Sequence, residues 1–281
     1  MHWITQILKK LLTSGVAAIG TVWTLMEINN TLSIIDVGDC SSKTIIILAG
    51  VLWPSVTVFR EMLFFNCNIG NSFHLRIRFG NITRRKNGTI LVPINHNFFC
   101  KKPEPRRLFD KRPESILAQL TIGKDGSEIV QQLQDFHARL NGSSTPMGTC
   151  YGVTTHKRSL LFMSQTRHVE AGKCASSHDE IMQALNNLFA DQTKLNIENY
   201  TIYMPVLGTG KSGANLSYDN AIKMIAKAFV YCSSHKDENS SRRIRTVEIV
   251  IRWKDLQNID NWVQTCEDIK NIAHLCGDCK Q

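Results

Sequence analysis

The residues best placed to do chemistry lie between Tyr203 and Ser217, where the chain reads Tyr-Met-Pro-Val-Leu-Gly-Thr-Gly-Lys-Ser-Gly-Ala-Asn-Leu-Ser. An apolar stretch gives way to Leu207, Gly208, Thr209, Gly210, Lys211, Ser212 and Gly213, and a helical pattern follows within a few residues. Glycine has no Cβ, so a ligand can lie against the backbone and φ can turn positive. The exposed N–H groups, with the positive end of the next helix, make an anion site suited to phosphate. A plain glycine-rich turn has the same composition. Gly210-Lys211-Ser212 also matches the end of a P-loop, but that pattern needs a glycine where Pro205 stands.

Other candidates for chemistry are sparser. His96 could act as a base near neutral pH, although a lone loop histidine is usually polar surface. Cys276 and Cys279 form one CxxC near Cys266 and His274. A zinc site needs four well-placed ligands, so no metal is expected from this pattern. Nine cysteines, an odd number without a regular framework, fit a reducing compartment better than a disulfide scaffold.

The chain carries 33 Lys and Arg against 24 Asp and Glu, a net charge of +9. The excess gathers at Arg76–Arg78, Arg84–Lys86, Lys101–Arg112 and Arg242–Arg245. Such a balance fits a surface beside an anionic membrane or a phosphate-bearing ligand. Nucleic acid is not expected, because no zinc finger, RNP motif or basic helix accompanies the charge.

Periodicity supplies the elements that must position these residues. Phe73 to Phe79 alternates as a half-exposed strand does, and Thr89 to Ile94 is a compact apolar run led by the turn pair Asn87-Gly88. Thr149 to Thr155, Ser159 to Ser164, Tyr200 to Leu207 and Thr246 to Ile251 also read as strands. His178 to Ala190, with Ser177 as N-cap, and Ser217 to Tyr231 have helical spacing, and Asp255 to Leu275 is mostly helical. Lys101 to Pro113, rich in proline and basic residues, reads as an exposed loop. Strands alternating with helices imply an α/β sheet covered on both faces.

Two apolar runs precede this domain, within residues 1–66. Leu11 to Met26 and Thr44 to Phe59 contain no charged residue. Extended to residues 9–28 and 44–65, each approaches the roughly 20 residues that span a bilayer. Lys9, Lys10 and Arg60 flank the pair, so both termini and residues 70–281 are expected in the cytoplasm, with the short linker outside. Ser14 and Ala18, Ala17 and Thr21, and Ala49-Gly50 offer small faces for close helix approach, and Pro54 should kink the second helix. A signal peptide or a pair of buried core helices are the alternatives.

With these elements in order, Pro205-Val-Leu-Gly-Thr-Gly-Lys-Ser-Gly213 resembles the phosphate loop of macro domains, which bind ADP-ribose and its relatives. Gly80-Asn81-Ile82-Thr83 is similar to the adenine-holding Gly-Asp-Ile-Thr segment, and Ile90-Leu-Val-Pro-Ile-Asn95 to the strand ending at the distal-ribose asparagine. The resemblance implies a three-layer α/β/α sandwich preceded by an α-helical transmembrane hairpin. It implies adenine at Asn81 and Ile82, diphosphate along Leu207 to Gly213, and distal ribose at Asn95. Asn81 replaces the usual aspartate, so the adenine contact should change. His96, Asn97 and Phe98 replace the glycine-rich stretch of hydrolytic macro domains, which argues against hydrolysis and leaves no catalytic residue assigned.

Two helices ahead of a divergent macro domain resemble, in particular, the macro-domain form of the ThsA effectors of Thoeris anti-phage defence. That resemblance implies a signal nucleotide, histidine–ADP-ribose, made by a partner TIR-domain enzyme. It implies no other cofactor, and a homo-oligomer that disrupts the inner membrane on activation. A group on the distal ribose would meet Asn97, Phe98 or the basic segment from Lys101. A membrane-bound ADP-ribosyl hydrolase and a structural membrane protein with a vestigial site are the competing expectations.

Overall fold

A computed structural model of the protein describes residues 64–70, 72–100, 115–122, 125–169, 173–190, 195, 197–210, 214–234 and 244–277. The strands are β1 (Phe64–Ile69), β2 (Phe73–Phe79), β3 (Thr89–Asn95), β4 (Cys150–Thr155), β5 (Arg158–Val169), β6 (Lys173–Ala175), β7 (Thr201–Pro205) and β8 (Thr246–Ile251). The α-helices are α1 (Ile116–Thr121), α2 (Gly126–Arg139), α3 (His178–Ala190), α4 (Tyr218–Ser234) and α5 (Trp262–Gly277). Asn66–Ile259 and Gln264–Gln281 form one compact unit, which contains nearly all of the sheet.

The sheet is mixed, in the order β1-β2-β8-β7-β3-β5-β4, with β6 paired to the far end of β5. β2, β8, β7, β3 and β5 run parallel, and β4 returns antiparallel beside β5. Six successive buried residues in β8 mark a strand covered on both faces, as interior parallel strands are. β3 stays paired with β7 only at Thr89↔Ile202 and Ile90↔Tyr203, while its pairing with β5 continues to Asn95. Pro93 brings no N–H to a ladder in the stretch where β3 has left β7. The register between β3 and β5 shifts after Ile94↔Ser164, resuming at Asn95↔Thr166, so Gln165 is the extra residue of a β-bulge.

Alternation along the strands loads both faces with apolar side chains. On one face Ile90, Val92 and Ile94 of β3 and Leu160 and Phe162 of β5 pack under Ile129, Val130 and Leu133 of α2. Phe98 enters the same core, edge-on to Phe136 at 4.8 Å, and Phe136 stacks on Tyr151 at 4.1 Å. On the other face α3 packs on β5 and α4. There Phe189 meets Phe229 at 5.3 Å, and Phe229 meets Phe73 of β2 edge-on at 6.2 Å. Thr265 of α5 donates to Asp219 of α4 at 2.6 Å, and Lys223 pairs with Asp268 at 3.3 Å.

The macro-like α/β architecture expected from the sequence is therefore present, with helices on both faces of the sheet. Ser177 caps α3 by accepting from Glu180 N–H at 3.3 Å, and Glu180 returns the bond to Ser177 N–H at 2.8 Å. This reciprocal pair is a capping box. Several details differ from the sequence reading. Phe64 and Phe65, placed there at the end of the second hydrophobic helix, begin β1. β5 runs beyond Ser164 to Val169, and α1 and α2 had no assignment. The stretch from Asp255 divides into a 3-10 turn at Trp253–Asn258 and the helix α5. Among the described residues no helix is long and apolar enough to cross a membrane, and the two apolar runs expected to do so lie outside them, apart from Phe64 and Phe65.

Phe98 is fully buried, so Phe98→Ala should leave a cavity beside Phe136. Loss of a core phenylalanine costs about 3–5 kcal/mol. Urea unfolding should show a midpoint lowered by that free energy divided by the m-value; a midpoint within error of the native protein would mean that Phe98 is not a core residue.

Candidate functional site

The parting of β3 from β7 opens a cavity of about 470 Å³ at the C-terminal ends of the parallel strands. Open α/β sheets commonly place ligands at such a crevice. Pro93, Ile94 and Asn95 end β3, Gln165 and Thr166 lie on β5, Pro205 ends β7, and Val250 and Ile251 end β8. Asn81 and Ile82 close one side after β2, and the segment Val206–Gly210 crosses the middle. Ser115, Ile116, Leu117 and Gln119, at and around the start of α1, complete the wall with Tyr218, Arg252 and Asp255. The volume lies within the roughly 300–1,000 Å³ typical of small-molecule sites.

The glycine segment has one structural and one open glycine. Gly208 holds φ +80°, and a Cβ there would come 2.6 Å from Ile181 Cδ1 and 2.8 Å from Leu216 Cδ1. Leu216 N–H donates to Gly208 O at 3.1 Å, which closes the loop back onto the entry to α4. Ser217 caps α4 by accepting from Asn220 N–H at 3.3 Å. Gly210 is exposed, and a Cβ there would meet nothing within 4 Å. Leu207 is buried, and Thr209 donates its hydroxyl to Val206 O at 3.4 Å. Lys211, Ser212 and Gly213 lie outside the described residues.

Asn81 and Asn95 both reach the cavity wall and both organise turns. Asn81 Oδ1 accepts from Thr83 N–H at 3.0 Å and Thr83 Oγ1 at 2.8 Å, capping the 3-10 turn that buries Ile82. Asn95 Oδ1 accepts from the N–H groups of Asn97 (3.1 Å) and Phe99 (3.0 Å), and its Nδ2 donates to Phe99 O at 3.1 Å. That turn carries the next three candidates away from the cavity. The His96 main chain bridges Thr166 and Thr145, Asn97 O accepts from His137 Nδ1 at 2.6 Å, and Phe98 is in the core. The structure thus brings Asn81, Ile82, Asn95, Leu207, Gly208, Thr209 and Gly210 together, while His96, Asn97 and Phe98 do not line the cavity.

The lining residues that the sequence reading did not single out include Gln165, Thr166, Tyr218, Arg252 and Asp255, together with Ser115 to Leu117 and Gln119 at α1. Among the described lining residues, the ionisable ones are Tyr218, Arg252 and Asp255. Arg252 grips Asp255 through two bonds, Nε to Oδ2 at 2.6 Å and Nη2 to Oδ1 at 3.2 Å. Desolvation alone would lower the Arg252 pKa, but the bonds and charge of Asp255, with Tyr218, raise it above its ordinary value. Desolvation also raises the Tyr218 pKa, and the charge of Asp255 adds to it, so the phenol stays neutral. Arg252 therefore offers a fixed cation, and Asp255 is committed to holding it.

The described cysteines bring no evident nucleophile to this site. Burial pushes the Cys150 thiol up to about 12 and raises Cys100 as well. A buried thiol such as Cys100 is inert. Among the described residues no cluster of His, Cys, Asp or Glu could hold a metal ion. Cys266 is half-buried and His274 exposed on α5, while the side chain of Cys276 and all of Cys279 lie outside the described residues.

With this geometry in place, the comparisons with known proteins are specific. Residues 75–252, well over half of the chain, match the family model of the macro domain of Thoeris protein ThsA. No curated protein matches the chain. Among solved structures, a point mutant of the Oceanobacillus iheyensis macrodomain is similar at TM-score 0.50 and 16% identity, over 75% of this chain and 98% of that one. The macrodomain of Thermus aquaticus DarG gives TM-score 0.41 and 14% identity, over 63% of this chain and 99% of that one. At 16% identity the first likeness is one of fold.

The two glycines should respond oppositely to the same methyl group. Gly208→Ala forces a positive φ on alanine, at about 1–2 kcal/mol before any crowding. Gly210→Ala meets open space and should stay within about 0.5 kcal/mol of the native protein. Thermal unfolding of the two variants side by side checks the assignment, and equal stability would contradict it.

Proposed function

The chain belongs to the family of the ThsA macro domain, and from that membership we propose that its cavity binds an ADP-ribose-derived signal nucleotide. The observation that carries this reading is the open Gly210 beside a cavity at the ends of parallel strands, with helix α4 starting just beyond. The backbone N–H groups of Gly208 to Gly210 would take the diphosphate. Arg252, locked by Asp255, supplies the fixed positive charge among the described lining residues.

Adenine would lie at Asn81 and Ile82. Thr83 already occupies the Asn81 oxygen twice, so the side chain offers its Nδ2 donors. Where an aspartate would accept from the adenine amino group, Asn81 would donate to a ring nitrogen. The distal ribose would extend toward Asn95 at the other end.

In this reading the protein is a sensor and effector of Thoeris defence. A TIR-domain enzyme supplies the nucleotide, histidine–ADP-ribose or a close relative. The apolar runs at 9–28 and 44–63 would provide an inner-membrane anchor with both termini and the binding domain in the cytoplasm. Ligand binding would favour one arrangement of the chains over another and so drive assembly and membrane disruption. That shift requires the nucleotide to bind the assembled state more tightly than the resting one.

Gly210→Glu is the decisive variant, since open space spares the fold while bulk and negative charge meet the phosphates. Calorimetry should show ADP-ribose binding to the native protein and at least about a hundredfold loss in the variant, through like-charge repulsion of the phosphates. In liposomes the native protein should release dye when histidine–ADP-ribose is added, and the variant should not. Nucleotide recovered intact afterwards supports a sensor, whereas cleaved nucleotide would replace this reading with a hydrolase.

A further inference from the structure

We propose that Gln165 is a specificity residue that reads a hydrogen-bond donor on the part of the ligand beyond its second phosphate, an inference that rests on the nucleotide reading above. The bulge between Ile94↔Ser164 and Asn95↔Thr166 inserts Gln165 as an extra residue at the cavity end of β5. Bulges re-aim a side chain at the edge of a site. Here the side chain lines the cavity, is only 3% exposed, and its Oε1 has no hydrogen-bond partner. A buried amide oxygen without a donor destabilises the fold, so such groups call for a reason.

The neighbouring groups do not supply that donor. Asn95 Nδ2 donates to Phe99 O, the Ser164 hydroxyl donates to Pro146 O at 2.6 Å, and neither is bonded to the Gln165 oxygen. Strand order fixes which part of the ligand can. Asn81 follows β2, the glycine segment follows β7, and Gln165 lies on β5 beyond β3. A nucleotide with adenine at Asn81 and phosphates at Gly208–Gly210 therefore directs its far end toward Gln165. A ribose hydroxyl or an attached N–H there would complete the amide. A site that presents a polar group for one donor rejects analogues that lack it.

ADP-ribose and ADP, which differ by that far end, are the probes, titrated into the full-length protein in detergent. The native protein should bind ADP-ribose at least about tenfold more tightly than ADP, the yield of one buried hydrogen bond. Gln165→Met, similar in volume but without the amide, should lose about that factor for ADP-ribose, keep its ADP affinity, and unfold at no lower temperature. Gln165→Asn, which withdraws the amide by one methylene, should show the same loss and serves if the methionine variant does not fold. A native protein that binds the two nucleotides equally, or variants that keep the native ratio, would overturn the inference alone. A native protein that binds neither would overturn the nucleotide reading with it.

Discussion

The site depends on one backbone event, the early parting of β3 from β7. Parallel strands in a filled sheet usually keep their ladder along most of their length. Here the two pair at Thr89 and Ile90 and then separate, with Pro93 bringing no donor to the gap. The ends of β3 and β7 therefore diverge, and the loops that follow them converge on the space between. Crossover connections in a parallel sheet put successive loops on one edge, so Asn81, Asn95, Gln165 and the glycine segment meet without being near in sequence.

The polar groups of the wall divide into those already spent and those still available. Asn81 and Asn95 use their oxygens to hold turns, and Asp255 uses both of its oxygens on Arg252. These bonds fix the shape of the wall before any ligand arrives, which lowers the ordering cost of binding. The available groups are the open backbone at Gly210, the Nδ2 donors of Asn81, and the oxygen of Gln165. Their order along the cavity, donor at one end, backbone in the middle and acceptor at the other, describes an elongated guest with an anionic centre.

Much of the fold was legible because its strands are short, apolar and separated by turn signals. The helix His178–Ala190 has the same bounds in sequence and structure, since Ser177 and Glu180 spell its capping box. α2 is equally periodic through Ile129, Leu133 and Phe136, but the proline-rich and basic stretch 101–113 ahead of it masks its start. Phe64 and Phe65 belong to a strand because sheet pairing overrides local hydropathy, which alone had joined them to the apolar run before them. The glycine segment announced itself by composition. Gln165 could not, because a bulge is a relation between two strands, and neither strand's sequence records the slip in register. Arg252 and Tyr218 were hidden for a similar reason: one follows a strand and the other opens a helix, and only the fold sets them side by side.

Gly208 ties the middle of the cavity to a helix that takes no part in it. Its backbone lies close against Ile181 in the first turn of α3, and the adjacent Glu180 is ion-paired with Arg167 of β5, two residues past the bulge. One helical turn thus braces both the loop over the cavity's centre and the strand at its far end. The width of the cavity is thus tied, through one turn of α3, to contacts on the opposite side of the sheet.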